Sequence, residues 1–398
     1  MNFSQLPPLS LYVHLPWCER KCPYCDFNSF QAETFDEFDY VSALIDDLQL
    51  DLPQVWGRQI HSIFIGGGTP SLFSGAAIER LLSDLRACLN LNPGIEITLE
   101  ANPGSAEAAR FRAYREAGVN RLSLGIQSFN DDMLRALGRV HDSAQAKAAI
   151  DMARRAGFDN INIDLMYGLP GQDLPQAIED IKQAIAFSPE HISHYQLGIE
   201  PNTLFDSQTP NNLPDDDQTW SMQTRCQQAL SDAGYGHYEI SAYARQGKRC
   251  QHNLNYWQFG DYLGIGAGAH GKISLADSNR VLRTRRKRQP REWLDLRGRS
   301  EVRVENALAE SDLVFEFMLN ALRLTGGFDK TLFQTHCGLP YSYLQNGVHQ
   351  AVTRELMIET PGQLRPSALG LRFHNDLQAI FLDCPVPAEG QITPQIQF

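Results

Sequence analysis

Three features are missing from this sequence of 398 residues, and each absence excludes a class of protein. No apolar run approaches the roughly 18 to 20 residues that a membrane-spanning helix needs. The N-terminus lacks the basic segment followed by an apolar segment that marks a secretory signal. A basic excess is also missing, because the formal net charge is −12, and nucleic-acid binding proteins usually carry a positive surface. We therefore expect a cytoplasmic protein that binds no nucleic acid.

Cysteine is scarce as well, with 8 residues in the chain. Disulfide-framed secreted domains are short and dense in cysteine, so this low frequency indicates a reducing compartment. Three cysteines fall within one short segment, Cys18–Cys25. The others are isolated in the sequence and are expected to be buried, inert thiols: Cys88, Cys226, Cys250, Cys337 and Cys384.

Short runs rich in Ile, Leu and Val alternate with helical patterns over the first half of the chain. This alternation predicts βαβ units and a parallel sheet. Six units are too few to close an eight-stranded barrel, so we expect a curved, open one. The predicted strands are Ser10–Pro16, Ser62–Gly68, Glu96–Asn102, Arg121–Gln127, Ile161–Gly168 and Ile192–Glu200.

Polar residues stand at or just beyond the carboxyl ends of four different predicted strands. They are Thr69, Glu100, Gln127 and Asp164. In barrel-like α/β folds the chemistry takes place at this rim. The sequence therefore predicts a binding site where these strands end.

The pattern changes in the second half, and we predict a domain boundary near residue 300. Residues 1–300 would form the barrel, and residues 301–398 a small helical domain of winged-helix type. Between them lies a basic run, Arg283–Arg288, for which a solvated loop is the favoured interpretation. Its functional alternatives are pairing with propionate groups or attraction to an anionic membrane or partner.

The segment Cys18–Cys25 has the spacing C-x3-C-x2-C. Three thiolates on one loop can converge on one soft-metal site. An iron–sulfur cluster is favoured, and three cysteines would leave one of its irons open to a small molecule. Zinc with His14 as a fourth ligand is the main alternative, and chance clustering is the other.

Seven ordered segments carry a resemblance to a known family. They read LYVHLPWCERKCPYCDF, IFIGGGTPS, LEANPG, RLSLGIQSF, LGR, NIDLMYGLPGQ and YQLGIEPNT. The sequence resembles the radical-SAM superfamily, in the branch of the oxygen-independent coproporphyrinogen III oxidases. The resemblance implies an incomplete (β/α)6 barrel, a [4Fe–4S] cluster held by Cys18, Cys22 and Cys25, and S-adenosylmethionine bound to the open iron.

The same resemblance assigns the S-adenosylmethionine site residue by residue. Glycines after a strand allow the backbone to approach the ligand closely, carboxylates and amides accept from hydroxyl and ammonium groups, and an arginine can bind a carboxylate. The implied residues are Tyr12, Gly67, Gly68, Thr69, Glu100, Gln127, Arg139 and Asp164.

Two departures separate this sequence from the oxidases of that branch. Phe27 stands where they carry a fourth cysteine, and only nine residues precede Ser10, where they have an extended arm. The sequence is more similar to relatives described as haem chaperones, which share the motif H-N-x-x-Y-W at His252–Trp257. In that motif His252 would ligate haem iron and the aromatic rings would cover the macrocycle. His270 and Cys250 are further candidate ligands.

The resemblance thus implies haem binding and delivery to haem-dependent proteins, such as membrane respiratory enzymes. A homodimer is compatible with that role. The alternative enzyme activity is oxidative decarboxylation of coproporphyrinogen III to protoporphyrinogen IX. A structural zinc or iron–sulfur protein without catalysis is the third interpretation.

Overall fold

A computed structural model describes residues 1–32, 34–104 and 107–382, so the predicted buried thiol of Cys384 lies outside the described residues. The strands are β1 (Leu9–Leu15), β2 (Trp17–Cys18), β3 (Phe30–Gln31), β4 (Gln59–Gly67), β5 (Asn90–Ala101), β6 (Arg121–Gln127), β7 (Ile161–Tyr167), β8 (His191–Gln196), β9 (Gly236–Glu239), β10 (Ala242–Ala244), β11 (Asp261–Ile265), β12 (His270–Leu275), β13 (Arg280–Arg286), β14 (Arg303–Ala307), β15 (Phe328–Asp329), β16 (Met357–Glu359) and β17 (Gln363–Pro366).

The α-helices surround this sheet and form most of the C-terminal part. They are α1 (Glu37–Val55), α2 (Gly75–Cys88), α3 (Glu107–Ala117), α4 (Asp131–Ala136), α5 (Ser143–Arg155), α6 (Leu174–Ala186), α7 (Leu204–Ser207), α8 (Asp216–Asp232), α9 (Gln251–Trp257), α10 (Pro290–Asp295), α11 (Glu310–Ala321), α12 (Lys330–Cys337), α13 (Ser342–Thr353), α14 (Ala368–Arg372) and α15 (His374–Ala379). Two short 3-10 turns, Pro70–Leu72 and Ser300–Val302, complete the described elements.

One 12-stranded sheet organises the molecule, in the order β14-β13-β12-β11-β1-β4-β5-β6-β7-β8-β10-β9. All six predicted strands are present, and they pair in parallel in chain order. A seventh parallel strand, β11, pairs with β1 on its other side. Within the described part of the chain the edge strands β14 and β9 do not pair with each other, so the barrel is open, as predicted.

Local sequence signals explain where the outer helices begin. Helices α5, α6 and α8 each start with a capping box, in which an Asp side chain accepts from the third helical residue and a Gln there returns the bond. Strand β6 is buried on both faces, with all seven of its residues buried. Such continuous burial is typical of parallel strands covered by helices.

A second hydrophobic cluster lies in the C-terminal part of the chain. Helices α11, α12 and α13 pack around residues such as Phe317, Phe333 and Leu344. They are followed by the hairpin β16–β17 and by α14 and α15, where a wing and a last helix are predicted. The division of the chain into domains at residue 300 stays a prediction.

The solvated loop predicted for Arg283–Arg288 is wrong over most of its length, because strand β13 ends at Arg286. Arg283 pairs with Glu316 and Arg286 is buried against Asp47 and Asp51. Successive residues of β13 point to opposite faces of the sheet, so Arg283 and Arg286 form ion pairs on different faces, and Arg285 is exposed. No helix among the described residues is long and apolar enough to cross a membrane.

Candidate functional site

The three clustered cysteines lie on the loop that follows β1, at the carboxyl end of the parallel strands. Cys18 is 9% exposed, and Cys22 and Cys25 are half-buried. Burial raises the pKa of the Cys18 thiol, although Thr69 and Ser29 hydrogen-bond to it. Burial also raises the pKa of Cys25. A thiol whose ionisation is opposed by burial becomes a thiolate when a positively charged metal centre binds it.

The glycine turn after β4 holds this loop in place by direct backbone contact. Gly68 N–H donates to Leu15 O at 2.8 Å and Thr69 N–H donates to Trp17 O at 2.7 Å. A Cβ atom at Gly68 would come within 2.5 Å of the Trp17 carbonyl oxygen, and Gly67 has a φ of +118°. Both positions therefore require glycine for this packing, and the close approach to a ligand that the resemblance implies stays a prediction.

A cavity of about 460 Å³ opens beside the cysteines and falls within the range of roughly 300 to 1,000 Å³ typical of small-molecule sites. The structure brings almost all of the predicted residues together there. The predicted residues that line it are Cys18, Cys22, Cys25, Gly67, Gly68, Thr69, Glu100, Gln127, Arg139 and Asp164.

Two buried carboxyl groups face this cavity. Burial, with Asp164 nearby, raises the pKa of Glu100 to about 8, although Gly67 N–H donates to its Oε2 atom at 3.2 Å and opposes that rise. Burial also raises the pKa of Asp164, although Ser123 Oγ and Asn162 Nδ2 donate to it at 3.0 and 2.8 Å. Both groups can still accept hydrogen bonds, and a hydroxyl or ammonium donor would favour their ionised forms.

Arg139 connects the cysteine loop to the strand ends. Its guanidinium donates to Asn102 Oδ1 at 2.6 Å, to Gly125 O at 2.8 Å and to Cys22 Sγ at 3.5 Å. Its Nε atom is buried and has no hydrogen-bond partner among the described residues. The arginine therefore brings positive charge to the Cys22 thiol, and its Nε–H can still donate a hydrogen bond.

Gln127 is held in a strained conformation at the end of β6. Its φ is +68°, the register of β6 with β7 shifts there, and Tyr195 Oη donates to its Oε1 atom at 2.8 Å. Strain of this kind is kept where the surrounding structure positions a residue for function. The amide is consequently fixed at the cavity wall.

Tyr12 and His252 do not line the cavity. Tyr12 donates to His14 Nδ1 at 3.0 Å and lies beside Phe64. His252 is 1% exposed, and its ring nitrogens contact Ser62 Oγ at 3.0 Å and Tyr256 Oη at 2.9 Å. Because both nitrogens are occupied, His252 cannot ligate iron in this conformation, and that role stays a prediction that requires α9 to move.

The remaining part of the H-N-x-x-Y-W motif does reach the cavity, through Asn253 and Trp257. The indole Nε1 of Trp257 is buried without a hydrogen-bond partner among the described residues, and Arg323 lies 4.3 Å from its ring. Cys250, a further candidate ligand, is fully buried beside Glu96, and burial raises the pKa of its thiol to about 12. It is therefore an inert thiol in this structure.

The zinc alternative has weak support because His14 is occupied. Its Nε2 atom donates to Asn28 O at 2.9 Å while Nδ1 accepts from Tyr12. Among the described residues no group of three or more His, Cys, Asp or Glu side chains is close enough to hold a single metal ion. An iron–sulfur cluster is larger and presents a different iron to each thiolate, so the three cysteines fit a cluster better than one ion.

Several residues of the cavity wall are missed by the sequence analysis. Asn102 links Arg139 to Thr69, with Nδ2 donating to Thr69 Oγ1 at 2.8 Å. Ser193 and Tyr195 line the wall from β8. The rule that finds Glu100 and Gln127, polar residues at carboxyl strand ends, also applies to Asn102 and Tyr195, whereas Ser193 lies in the middle of β8.

Comparisons with known proteins agree with this geometry. Residues 12–184 match the family described as "Radical SAM superfamily". The chain is 47% identical over 383 residues to "Heme chaperone HemW" of Haemophilus influenzae, covering 95% of this chain and 99% of that protein. It is 47% identical over 379 residues to "Heme chaperone HemW" of Escherichia coli, covering 95% and 99%.

A solved structure shares the fold over nearly the whole chain. It is described as "Coproporphyrinogen III oxidase (HemN) from Escherichia coli is a Radical SAM enzyme", with a TM-score of 0.79, 24% identity, and coverage of 95% of this chain and 91% of that one. The likeness establishes the architecture, and the sequence relatives establish the branch. The chain belongs to the radical SAM superfamily, in the group of the relatives named "Heme chaperone HemW".

Proposed function

We propose that this chain binds haem and delivers it to haem-dependent proteins in the cytoplasm or at the membrane. The observation that carries the proposal is the 47% identity, over nearly the full length of both chains, with proteins named for haem chaperone activity. Membrane respiratory enzymes are the proposed recipients, and a homodimer is the proposed assembly. The barrel would be residues 1–300 and the winged-helix-like domain residues 301–398.

The cavity fits a [4Fe–4S] cluster and S-adenosylmethionine. Cys18, Cys22 and Cys25 would hold the cluster, and the glycine turn would border the methionine moiety. Glu100 and Asp164 have spare acceptor capacity for ribose hydroxyls and an ammonium group. When bound, this pair of groups supplies one-electron chemistry. The chain's own contribution is a rigid, partly closed pocket that orients the ligand and limits water.

Phe27 favours the chaperone role over the oxidase role. It lines the cavity mouth and is 60% exposed, at the position where the oxidases of this branch carry a further cysteine. An exposed aromatic ring provides an apolar contact surface and no thiol. Decarboxylation of coproporphyrinogen III is therefore the alternative outcome of the test.

The test measures haem transfer and coproporphyrinogen decarboxylation on one anaerobically reconstituted preparation. We expect transfer of haem to an apo-acceptor and no protoporphyrinogen. The Cys18→Ala variant should lose bound iron and sulfide, whereas Cys88→Ala, on the outer helix α2, should keep them. Decarboxylation at enzyme-like rates, or no haem binding at all, would overturn the proposal.

A further inference from the structure

A second cleft lies where strands β12 and β13 meet helix α11. Its volume is about 590 Å³, within the range of roughly 300 to 1,000 Å³ for small-molecule sites. The residues important here are His270, Arg283, Arg285, Leu308, Phe315 and Leu319. The cleft thus combines an imidazole, two guanidinium groups and an apolar wall.

His270 differs from His14 and His252 because its ring nitrogens make no hydrogen bond within the described residues. It is exposed and is the first residue of β12, paired with Arg285 on β13. Its backbone is fixed, since a Cβ atom at Gly264 would lie 1.8 Å from the His270 carbonyl oxygen. By contrast, His14 and His252 use both ring nitrogens. His270 therefore offers a free ligand atom on a rigid strand.

Among the charged residues of this cleft that the structure describes, Arg283 and Glu316 form an ion pair, whereas Arg285 and Asp312 do not. Glu316 pairs with Arg283, and Asp312 accepts from Ala309 N–H at 3.3 Å. Arg285 is exposed and makes no ion pair within the described part of the chain. Arg285 thus presents an unpaired guanidinium to the cleft, and this group suits an anionic substituent of a ligand.

The surroundings of His270 keep its ring in the form that binds metals. Partial burial lowers the pKa of His270, and the positive charges of Arg285, Arg283 and Arg288 lower it further. A neutral imidazole has a nitrogen lone pair for iron. The apolar wall of Leu308, Phe315 and Leu319 is on the α11 side of the same cleft.

We propose that this cleft binds the haem, with His270 as an axial ligand of its iron and Arg285 paired with a propionate. Phe315 and Leu319 would contact the porphyrin face. This inference rests on the proposed haem-binding function and names the site for it. It also explains how haem can bind while His252 stays buried behind the cavity.

The experiment titrates haem into the full chain and follows affinity and the visible spectrum. We expect His270→Ala to weaken binding at least about tenfold and to remove the spectrum of a histidine-ligated iron. His270→Tyr should bind haem with a different, tyrosinate-type spectrum, which shows a folded site with an exchanged ligand. Arg285→Glu should weaken binding several-fold without changing the ligand spectrum.

His349→Ala is the matched control, because His349 is an exposed histidine on α13. It should bind haem as the wild type does. If the wild-type chain binds no haem, the proposed function fails and this site fails with it. If the wild type binds haem and both His270 variants keep its affinity and spectrum, the cleft assignment alone is wrong. If His252→Ala then loses the spectrum of a histidine-ligated iron, the axial ligand is His252 on α9.

Discussion

At the scale of single residues, the protonation state of Glu100 should have a measurable effect on the affinity for S-adenosylmethionine. Burial raises its pKa to about 8, so the carboxyl group is mostly protonated at neutral pH in the free protein. A ribose hydroxyl or an ammonium group binds the ionised form more strongly. At a pH below this pKa, Glu100 must therefore release its proton when S-adenosylmethionine binds.

We expect the affinity for S-adenosylmethionine to rise between about pH 6.5 and pH 8, by up to about tenfold per pH unit, and then to level off. Equilibrium binding to the cluster-loaded chain measures it. Glu100→Gln should bind more weakly and lack this part of the pH dependence. Because the ligand has titrating groups of its own, the ratio of wild-type to variant affinity is the informative quantity. A ratio that stays constant with pH would contradict the prediction.

His252 should make the folded chain sensitive to acid. Burial, with Arg121 nearby, lowers its pKa to about 3, whereas a histidine in the unfolded chain titrates near its usual value of about 6.5. The stabilising contribution is complete above that unfolded value, and it is lost as the pH falls, because only the unfolded state binds the proton. Stability should therefore decrease on acidification.

Between about pH 7.5 and pH 5 we expect this one group to cost about 2 kcal/mol of unfolding free energy. Urea unfolding of the full chain at both pH values gives the slope. His252→Gln should be less stable at neutral pH, since it changes the bonds to Ser62 and Tyr256, yet it should lose less on acidification. Equal losses in wild type and variant would show that His252 is not the group that titrates.

The residues of the cavity can largely be predicted from the sequence, and their exact bonds cannot. Glu100 and Gln127 are identified because hydrophobic strands end at or next to them, and parallel strands bring their carboxyl ends together, whereas Asp164 lines the cavity from the middle of β7. The positive φ of Gln127 and the bond from Tyr195 depend on a register shift that no local pattern encodes. The burial of His252 is unpredictable for the same reason, since its ring contacts Ser62 in a distant strand, and its role as a haem ligand stays a prediction.

At the scale of elements, helix α1 and strand β13 are joined by a buried ion cluster. Arg286 is fully buried, with Nε 3.0 Å from Asp47 Oδ1 and Nη1 3.1 Å from Thr284 Oγ1, and it also binds Asp51. Asp51 pairs in addition with Arg303. The two partners in α1 lie more than two hundred residues away in the sequence, which is why the basic run resembles a solvated loop.

Arg286→Met should destabilise the chain by about 3 to 5 kcal/mol, because it leaves a buried carboxylate without its partner. Denaturant unfolding measures this. Arg285→Met, one residue away on the exposed face, should change stability by no more than about 0.5 kcal/mol. The double variant Asp47→Asn with Arg286→Met should recover part of the loss. Equal effects of the two single variants would show that the cluster does not join α1 to β13.

At the scale of the whole molecule, hydrogen bonds join the cysteine loop to the backbone next to the proposed haem cleft. Asn28 donates from Nδ2 to Ala267 O at 3.0 Å and to Arg288 O at 2.9 Å. Ala267 lies in the turn that leads into His270, and Arg288 lies two residues after the end of strand β13. One side chain of the cysteine loop thus holds both backbone segments that border the cleft.

This connection predicts that the state of the cysteine loop affects haem binding. Loading the cluster should order the loop, and through Asn28 it should fix the position of His270, so haem should bind several-fold more tightly to the cluster-loaded chain than to the cluster-free chain. Asn28→Ala should reduce that difference while leaving iron and sulfide content unchanged.

The alternative is that the two sites are independent and share only a barrel rim. The haem affinity of wild type would then be the same with and without the cluster, and Asn28→Ala would change nothing but stability. Lys21→Ala is the control, because Lys21 Nζ donates to Phe27 O and Ser29 O within the loop and, among the described residues, has no hydrogen bond to the segments that Asn28 holds. Lys21→Ala should therefore keep the difference in haem affinity between the cluster-loaded and the cluster-free chain. If it reduces that difference as strongly as Asn28→Ala does, the effect depends on the general order of the loop and not on the direct contact to Ala267 and Arg288.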